Sequence, residues 1–384
     1  MIATRLIPLV VLLMGCSSTC AHAARAPLAL RIATFNIEDV RDSDLETPKN
    51  ERLQSIAAII QRIRPNILLL NELAYSSEDG PSNAEKFAYN YLAVSQGPGL
   101  EPLHFKTYTP PSNTGIHSGL DLDRSGSVLK KPEPLSKEQT PSQREYGNDC
   151  LGFGTFPGQY AMALLVDDRL TIDTEQIRTF QHFLWKDMPD HLSPLNDDST
   201  QWYPDQAWNI LPLASKNLAD VPIQLPNGTR LHAIISHPTP PAFDGPEQRN
   251  VLRNHDEIRL IRELIDNAPW LIDDNGVAGG LSDQDSFVIL GDLNADPVDG
   301  SSIDMTIFSQ LLSSPRLAED AHPMSDVQVD GLDSTDTSHF GLRVDYVLPS
   351  ESITITSSGI ERQPALGTEY PSDHFLVWAE VIIP

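Results

Sequence analysis

The sequence predicts an α/β protein, and three observations predict it. Short, wholly apolar runs of strand length recur, among them Ile67-Leu68-Leu69-Leu70 and Phe287-Val288-Ile289-Leu290. Ahead of the first of these, Glu51 to Arg64 places Leu53, Ile56, Ala57, Ile60 and Ile63 at helical spacing, and Pro65 stops the pattern. Run after run ends in polar side chains, at the position where open sheets carrying helices bind their ligands.

Taken in order, the chain begins with Arg5 and the apolar run Leu6 to Met14, too short to span a bilayer and suited to a secretory signal. Two processing sites compete. Ala21-His22-Ala23 is a small-x-small cleavage site, giving a signal peptide over residues 1–23. Leu13-Met14-Gly15-Cys16 resembles a lipoprotein box, which would make Cys16 a lipid-anchored first residue. Either way the expectation is export to the periplasm, to the medium or to a membrane surface. No later apolar run is long enough for a transmembrane helix.

The first mature strand is expected from Leu28 to Ile37, ending in Asn36 and Glu38. Ile67 to Leu70 ends in Asn71-Glu72. Tyr160 to Val166 reads as a strand without a polar end of interest. Leu231 to Ile235 ends in Ser236-His237-Pro238, and a helix follows from about Glu247. The apolar run at Phe287 ends in Gly291-Asp292-Leu293-Asn294. Alternation sends Asp292 and Asn294 the same way, so both can face one reacting group. An Asx-type turn accounts equally well for those two residues taken alone.

Removing residues 1–23 leaves 26 Lys and Arg against 53 Asp and Glu, a formal charge of −27. Such a field favours solubility and repels polyanions. The densest basic stretch, Arg249, Arg253, Arg259 and Arg262, shares its helix with Asp256, Glu257 and Glu263 and makes no continuous stripe. After cleavage at Ala23 only Cys150 remains, so no disulfide framework supports the fold. Nothing in the sequence points to an oligomer.

The ordered set TFNIE, LLLNE, SHP, GDLNA, RVDYVL and YPSDH, spanning residues 34–374, resembles the endonuclease/exonuclease/phosphatase superfamily. HPTPPAFDG with the helix start after it is similar to an exported bacterial subgroup. The length of the chain suggests two domains. The resemblance implies one catalytic domain over residues 27–384 instead, with insertions at about 103–158 and 182–213. It also implies a four-layer α/β sandwich, two packed mixed sheets flanked by helices, and metal-dependent cleavage of phosphoester bonds.

Phosphate esters are anionic and resist attack by water, so a site needs a hard cation, a positioned water and a proton for the leaving oxygen. By resemblance, Glu72 is the principal metal ligand, with Asn36, Glu38 and Asp373 as further contacts; an all-oxygen set suits Mg²⁺ or Mn²⁺. Asp292 would orient or deprotonate the water, and Asn294 would bond a phosphoryl oxygen. His374, held by Asp345, would contact the phosphate. His237 would stabilise or protonate an oxygen. Singly, each has a plainer reading as a cap, a turn or a surface ion pair. The remaining nine histidines read as surface or core residues.

Asp121-Leu122-Asp123-Arg124-Ser125-Gly126 has the D-x-D-x-S-G opening of a calcium loop, with oxygen donors at Asp121, Asp123 and Ser125. Pro132 stands where an EF-hand requires Glu, so a Ca²⁺ here would need a later carboxylate such as Asp149; an acidic solvated loop is the competing reading. Trp185, Trp202, Tyr203 and Trp208 in the second insertion either wall the site or bury their own loop, and the second reading is favoured. Arg249 and Asn250, at the helix start, are candidate phosphate contacts. The function expected is hydrolysis of a small or exposed phosphate ester outside the cytoplasm. The alternatives are an extracellular nuclease and a catalytically silent binding protein of the same fold.

Overall fold

Two parallel strand pairs, each joined by a crossover helix, form the frame. The computed structural model describes residues 26–76, 80–130, 138–319 and 322–384, so the expected leader and both its candidate processing sites lie outside the described residues. In chain order the elements are β1 (Leu28–Val40), α1 (Glu51–Ile63), β2 (Ile67–Leu73), α2 (Asn83–Phe87), β3 (Phe105–Tyr108), α3 (Pro141–Asn148), β4 (Met162–Asp167), β5 (Thr171–Ile172) and β6 (Arg178–Thr179). They continue with α4 (Asp205–Trp208), β7 (Leu218–Gln224), β8 (Arg230–Ser236), α5 (Arg249–Ile265), β9 (Ser286–Asp292), β10 (Asp345–Pro349), β11 (Thr354–Glu361) and β12 (Leu376–Ile383).

One sheet runs β11-β12-β1-β2-β4-β3; the other runs β10-β9-β8-β7-β5, with β6 also on β7. Only β1 with β2 and β8 with β9 pair in parallel among these neighbours, and those are the pairs that α1 and α5 connect, as parallel strands require. Helix α1 starts where the Asn50 side chain accepts from the amides of Arg52 and Leu53, and it ends at Arg64 in a left-handed conformation. At the start of α5 the Asp244 carboxylate accepts from the amides of Asn250 and Val251.

Side-chain alternation sorts the strands into layers. Leu30 and Ile32 of β1, Ile67 and Leu69 of β2, Ala233 and Ile235 of β8, and Val288 and Leu290 of β9 pack together between the sheets. The alternate residues face outward. Phe35, Leu68 and Leu70 meet Ile56, Ile59 and Ile60 of α1, while Ile234, Phe287 and Ile289 meet Ile258, Ile261 and Leu264 of α5. Helix, sheet, sheet and helix make the four-layer α/β sandwich that the resemblance implies.

The expected insertions contribute more to the fold than their composition suggests. Phe105–Tyr108, inside the first, forms the edge strand β3 against β4, so the inserted loop begins only after it. In the second, Trp185 is fully buried and donates through Nε1 to Asp256 Oδ2 at 2.7 Å, and Trp208 packs on it with ring centroids 5.4 Å apart. These aromatics form a core over α5, in line with the structural reading. Strand β7, which carries Asp220 and Pro222, is hidden from the periodicity because Asp220 is buried against His232 at 2.8 Å.

Gly291 sits where β9 approaches β8. A Cβ there would lie 2.0 Å from the Ser236 carbonyl oxygen, a backbone atom that the parallel pairing holds in place. Gly291→Ala should therefore destabilise the chain by on the order of 1–3 kcal/mol, read as a lower urea midpoint at unchanged slope.

Candidate functional site

The inner rows of apolar side chains end in polar ones at a single edge of the sandwich. Continuing β1 inward from Ile32 and Thr34 brings Asn36; continuing β8 from Ile235 brings His237; continuing β9 from Leu290 brings Asp292. Strand β10 runs antiparallel to β9 and places Asp345 opposite Asp292. His374 lies two residues before β12, which is antiparallel to β1. Ser372 closes that corner: its hydroxyl donates to the Asn36 carbonyl at 2.7 Å and accepts from the His374 amide at 3.2 Å.

Glu72 reaches the site by a different route. Alternation would send it outward with Leu68 and Leu70, but its φ is 66°, left-handed, and its side chain meets the inner row. Oε1 accepts from Asn36 Nδ2 at 3.2 Å, and Oε2 accepts from the Asp39 amide at 2.9 Å. Asp39 and Glu38 are also left-handed, at 42° and 53°, in a bulge that shifts the β1–β2 register. The bulge delivers the Asp39 amide rather than the Glu38 carboxylate, which is exposed. Asp373 is exposed too, yet its charge acts on Glu72.

Asp292 Oδ2 is the meeting point. Asn36 Nδ2 donates to it at 3.0 Å, His237 Nε2 lies at 3.5 Å and His374 Nε2 at 3.7 Å. The Asn294 amide donates to Asp292 Oδ1 at 2.9 Å, so the Asx-type turn and the site coexist in the same residues. Asn294, with φ of 53°, turns its carboxamide to the Pro238 carbonyl at 3.2 Å. His374 Nδ1 pairs with Asp345 Oδ2 at 2.8 Å, and Thr337 Oγ1 donates to that same oxygen at 2.8 Å.

The two histidines occupy opposite charge states. Burial and the positive charge of Lys216 push His237 down to about 4, so its ring is neutral near pH 7. Burial alone would lower His374 as well, but the Asp345 and Asp292 carboxylates outweigh it and raise its pKa well above the ordinary range. Asp292 is held down by His374 and His237 against the cost of its own burial.

The donors fit a hard divalent cation. Burial first, and the Asp373 charge second, push Glu72 from 4.5 up to about 7 despite the His374 charge and two hydrogen-bond donors, so a cation beside it would be favoured. Asp345 Oδ1 is buried without a partner. Asp292, Asp345 and His374 bring one ligating atom each within 4.8 Å of one another, but an imidazolium does not ligate, so Glu72 with Asp292 is the better-suited holder, while Asn36 turns Nδ2 to both carboxylates and Oδ1 to the Glu38 amide.

Lys216 was invisible in the sequence. It is buried, with Nζ donating at 3.2 Å to the Pro238 carbonyl that also receives Asn294, and the charges of Asp292 and Glu72 act on it. A lysine four residues past Pro212 carries no spacing signal; only its burial marks it. Glu257 of α5 ties both flanking loops, accepting the Ser215 and Thr239 amides at 2.6 Å each. Arg249 and Asn250 are engaged elsewhere: Arg249 Nη1 donates to the Leu122 carbonyl at 3.2 Å, and Asn250 Nδ2 to the Ala242 carbonyl at 2.8 Å. Asp121, Asp123 and Asp149 bring carboxylates together, while Ser125 donates its amide to Asp121 and Asp123.

A four-layer sandwich with carboxylate, carboxamide and imidazole groups at one edge defines the class of phosphoester hydrolases. The chain belongs to the endonuclease/exonuclease/phosphatase family, whose model matches residues 33–374. No curated protein matches it in sequence. Among solved structures it is similar to a family member from Bacteroides thetaiotaomicron, at 12% identity and a TM-score of 0.49, covering 94% of this chain and 99% of that one. It is similar to another from Beutenbergia cavernae at 16% identity and a TM-score of 0.47, covering 92% and 72%. The human Nocturnin catalytic domain with bound sulfate matches at 14% identity and a TM-score of 0.46, covering 93% and 96%.

The Glu72 shift has a thermodynamic consequence. A carboxyl raised from 4.5 to about 7 on folding contributes stability that is present below 4.5 and lost as pH rises through about 7. In chelator, Glu72→Gln should match its parent near about pH 4.5 and exceed it by up to roughly 3 kcal/mol at about pH 8. Saturating Mg²⁺ should reverse that order. Urea titrations with and without the ion decide it; a parent–variant difference independent of pH would refute the shift.

Proposed function

We propose that the chain is a metal-dependent phosphoesterase that hydrolyses small or exposed phosphate esters outside the cytoplasm. The observation that carries this reading is the convergence on Asp292 of a charged His374, a neutral His237 and Asn36, beside a Glu72 whose carboxyl stays raised although the His374 charge acts on it. Glu72, with Asn36 and Asp292 beside it, would hold Mg²⁺ or Mn²⁺, and Asp373 would add negative charge at the mouth. When bound, the divalent cation neutralises the phosphate and polarises its phosphorus–oxygen bonds.

The chain's own residues divide the remaining work. Asp292, ionised at neutral pH, accepts a hydrogen bond from the attacking water and orients it. His374 carries a positive charge set by Asp345 and donates from Nε2 to a phosphoryl oxygen. His237, uncharged, offers an N–H to a developing negative charge and is too weakly basic to act as a standing acid near neutral pH. Asn294 and Lys216, both on the Pro238 carbonyl, hold the loop that carries His237 and place a cation near the phosphate.

Charge distribution supports a small substrate over a nucleic acid. Duplex binding draws on Lys and Arg that neutralise successive phosphates. The four arginines of α5 are occupied: Arg253 donates to the Leu213 and Pro212 carbonyls, Arg259 pairs with Glu263, Arg262 with Asp266, and Arg249 bonds Leu122. The leader reading supports export, either through cleavage at Ala23 or with a lipid anchor at Cys16.

Two outcomes are expected. Chelation should abolish turnover and Mg²⁺ or Mn²⁺ should restore it, with mono- and diesters of small alcohols or phenols cleaved faster than duplex DNA at equal phosphate. Efficient duplex cleavage with negligible ester hydrolysis would favour the nuclease. Asp292→Asn should cost on the order of a hundredfold or more in kcat at unchanged fold, measured on whichever ester is turned over fastest; parental kcat in that variant would remove Asp292 from the chemistry.

A further inference from the structure

A second group of carboxylates lies apart from the candidate active site, where the loop after β3 meets the end of α3. One carboxylate oxygen from each of Asp121, Asp123 and Asp149 lies within 4.8 Å of the others. The first two come from the loop and are half-buried; their oxygens accept amides from Ser125 and Gly126 and the carboxamide of Asn148 at 2.9–3.0 Å. Such bonds are what an acidic turn makes for itself and do not point to a ligand.

Asp149 is the separate observation. It is fully buried, and while Oδ1 accepts the Leu122 amide at 2.7 Å, Oδ2 is buried with no partner. A buried carboxylate oxygen left unpaired carries the full cost of its desolvation. The neighbouring Asp121 and Asp123 carboxylates repel it, so the backbone amides are its only compensation shown among the described residues. Arg249 donates to the Leu122 carbonyl, and its charge acts on Asp123.

We propose that Asp121, Asp123 and Asp149 form a structural Ca²⁺ site that pins the inserted loop to the end of α3. The donors are all hard oxygens, and two of them sit at alternate positions ahead of Gly126, which is left-handed with φ of 87° and turns the loop back sharply. The three oxygens lie within 4.8 Å of one another, close enough to share one ion, and a set of carboxylates that keeps few waters suits Ca²⁺ better than the strongly hydrated Mg²⁺. Asp149 supplies from a distant part of the chain the closing carboxylate that an EF-hand takes from its twelfth position, here Pro132. The site is independent of the active-site reading, because none of its residues touches Asp292, Glu72 or His374 through the bonds described above.

Calorimetric titration with CaCl₂ tests it on the full chain carrying Glu72→Gln, which disables the candidate active-site ion holder. One Ca²⁺ should bind, MgCl₂ at equal concentration should not displace it, and Ca²⁺ should raise the Tm. Adding Asp149→Asn or Asp121→Asn should weaken Ca²⁺ binding at least roughly tenfold and remove the Tm rise. Asp149→Asn keeps an oxygen for the Leu122 amide; should it fail to fold, Asp121→Asn, on the half-exposed loop, decides alone. Absence of Ca²⁺ binding, displacement by equal Mg²⁺, or binding unchanged in the variants overturns the proposal. Failure of phosphoesterase activity in the parent with this Ca²⁺ binding intact would sink only the functional reading.

Discussion

One carboxylate oxygen, Oδ2 of Asp292, receives side chains from three separate parts of the fold. Asn36 comes from the other sheet, His237 from the neighbouring parallel strand, and His374 from the approach to the last strand. None of these is near another in sequence. They meet because Leu30, Ile32, Ala233, Ile235, Val288 and Leu290 fix how the two inner faces pack, and a slip of one residue in any of the three strands would turn its polar end outward. The apolar core between the sheets is thus also the device that sets site geometry.

That geometry separates the two histidines electrically although both approach the same oxygen. His374 has a second carboxylate, Asp345, on its other nitrogen, and Thr337 holds that carboxylate in place. His237 has no such partner, its Nδ1 is buried and unpaired, and the charge of Lys216 bears on it. Two rings of equal intrinsic basicity are pushed apart, one to a standing positive charge and the other to neutrality. Groups whose environments divide them in this way are the ones that can take different parts in one reaction.

Much of this was legible in the sequence because strand-like apolar runs end in polar residues. Asn36, His237 and Asp292 each stand just past such a run, and Gly291 marks the close approach to β8 that its missing side chain permits. Glu72 was placed at the ligand-binding edge by its position past a strand-like run and given its metal role by resemblance; simple alternation points it outward, and only its left-handed backbone brings it in. Glu38 was expected beside it and stays exposed, since the bulge uses the next residue's amide. Lys216, Glu257 and strand β7 left no trace, because a buried charge is satisfied by partners distant in sequence, and periodicity reads only neighbours.

The backbone pays for this arrangement at four positions, which is the price of breaking alternation. Glu38, Asp39, Glu72 and Asn294 all adopt left-handed conformations within the strand ends that form the site. Each costs a non-glycine residue roughly 1–2 kcal/mol, less for the Asp and Asn. The strain yields a specific gain: Asp39 and Asn36 grip both oxygens of Glu72, and Asn294 turns back on Pro238. Without the left-handed turn at Glu72 the carboxylate would face α1, and the sandwich would keep its core while losing its site. Structural economy alone would favour that regular strand, so the irregularity belongs to the chemistry at the sheet edge and not to the packing beneath it.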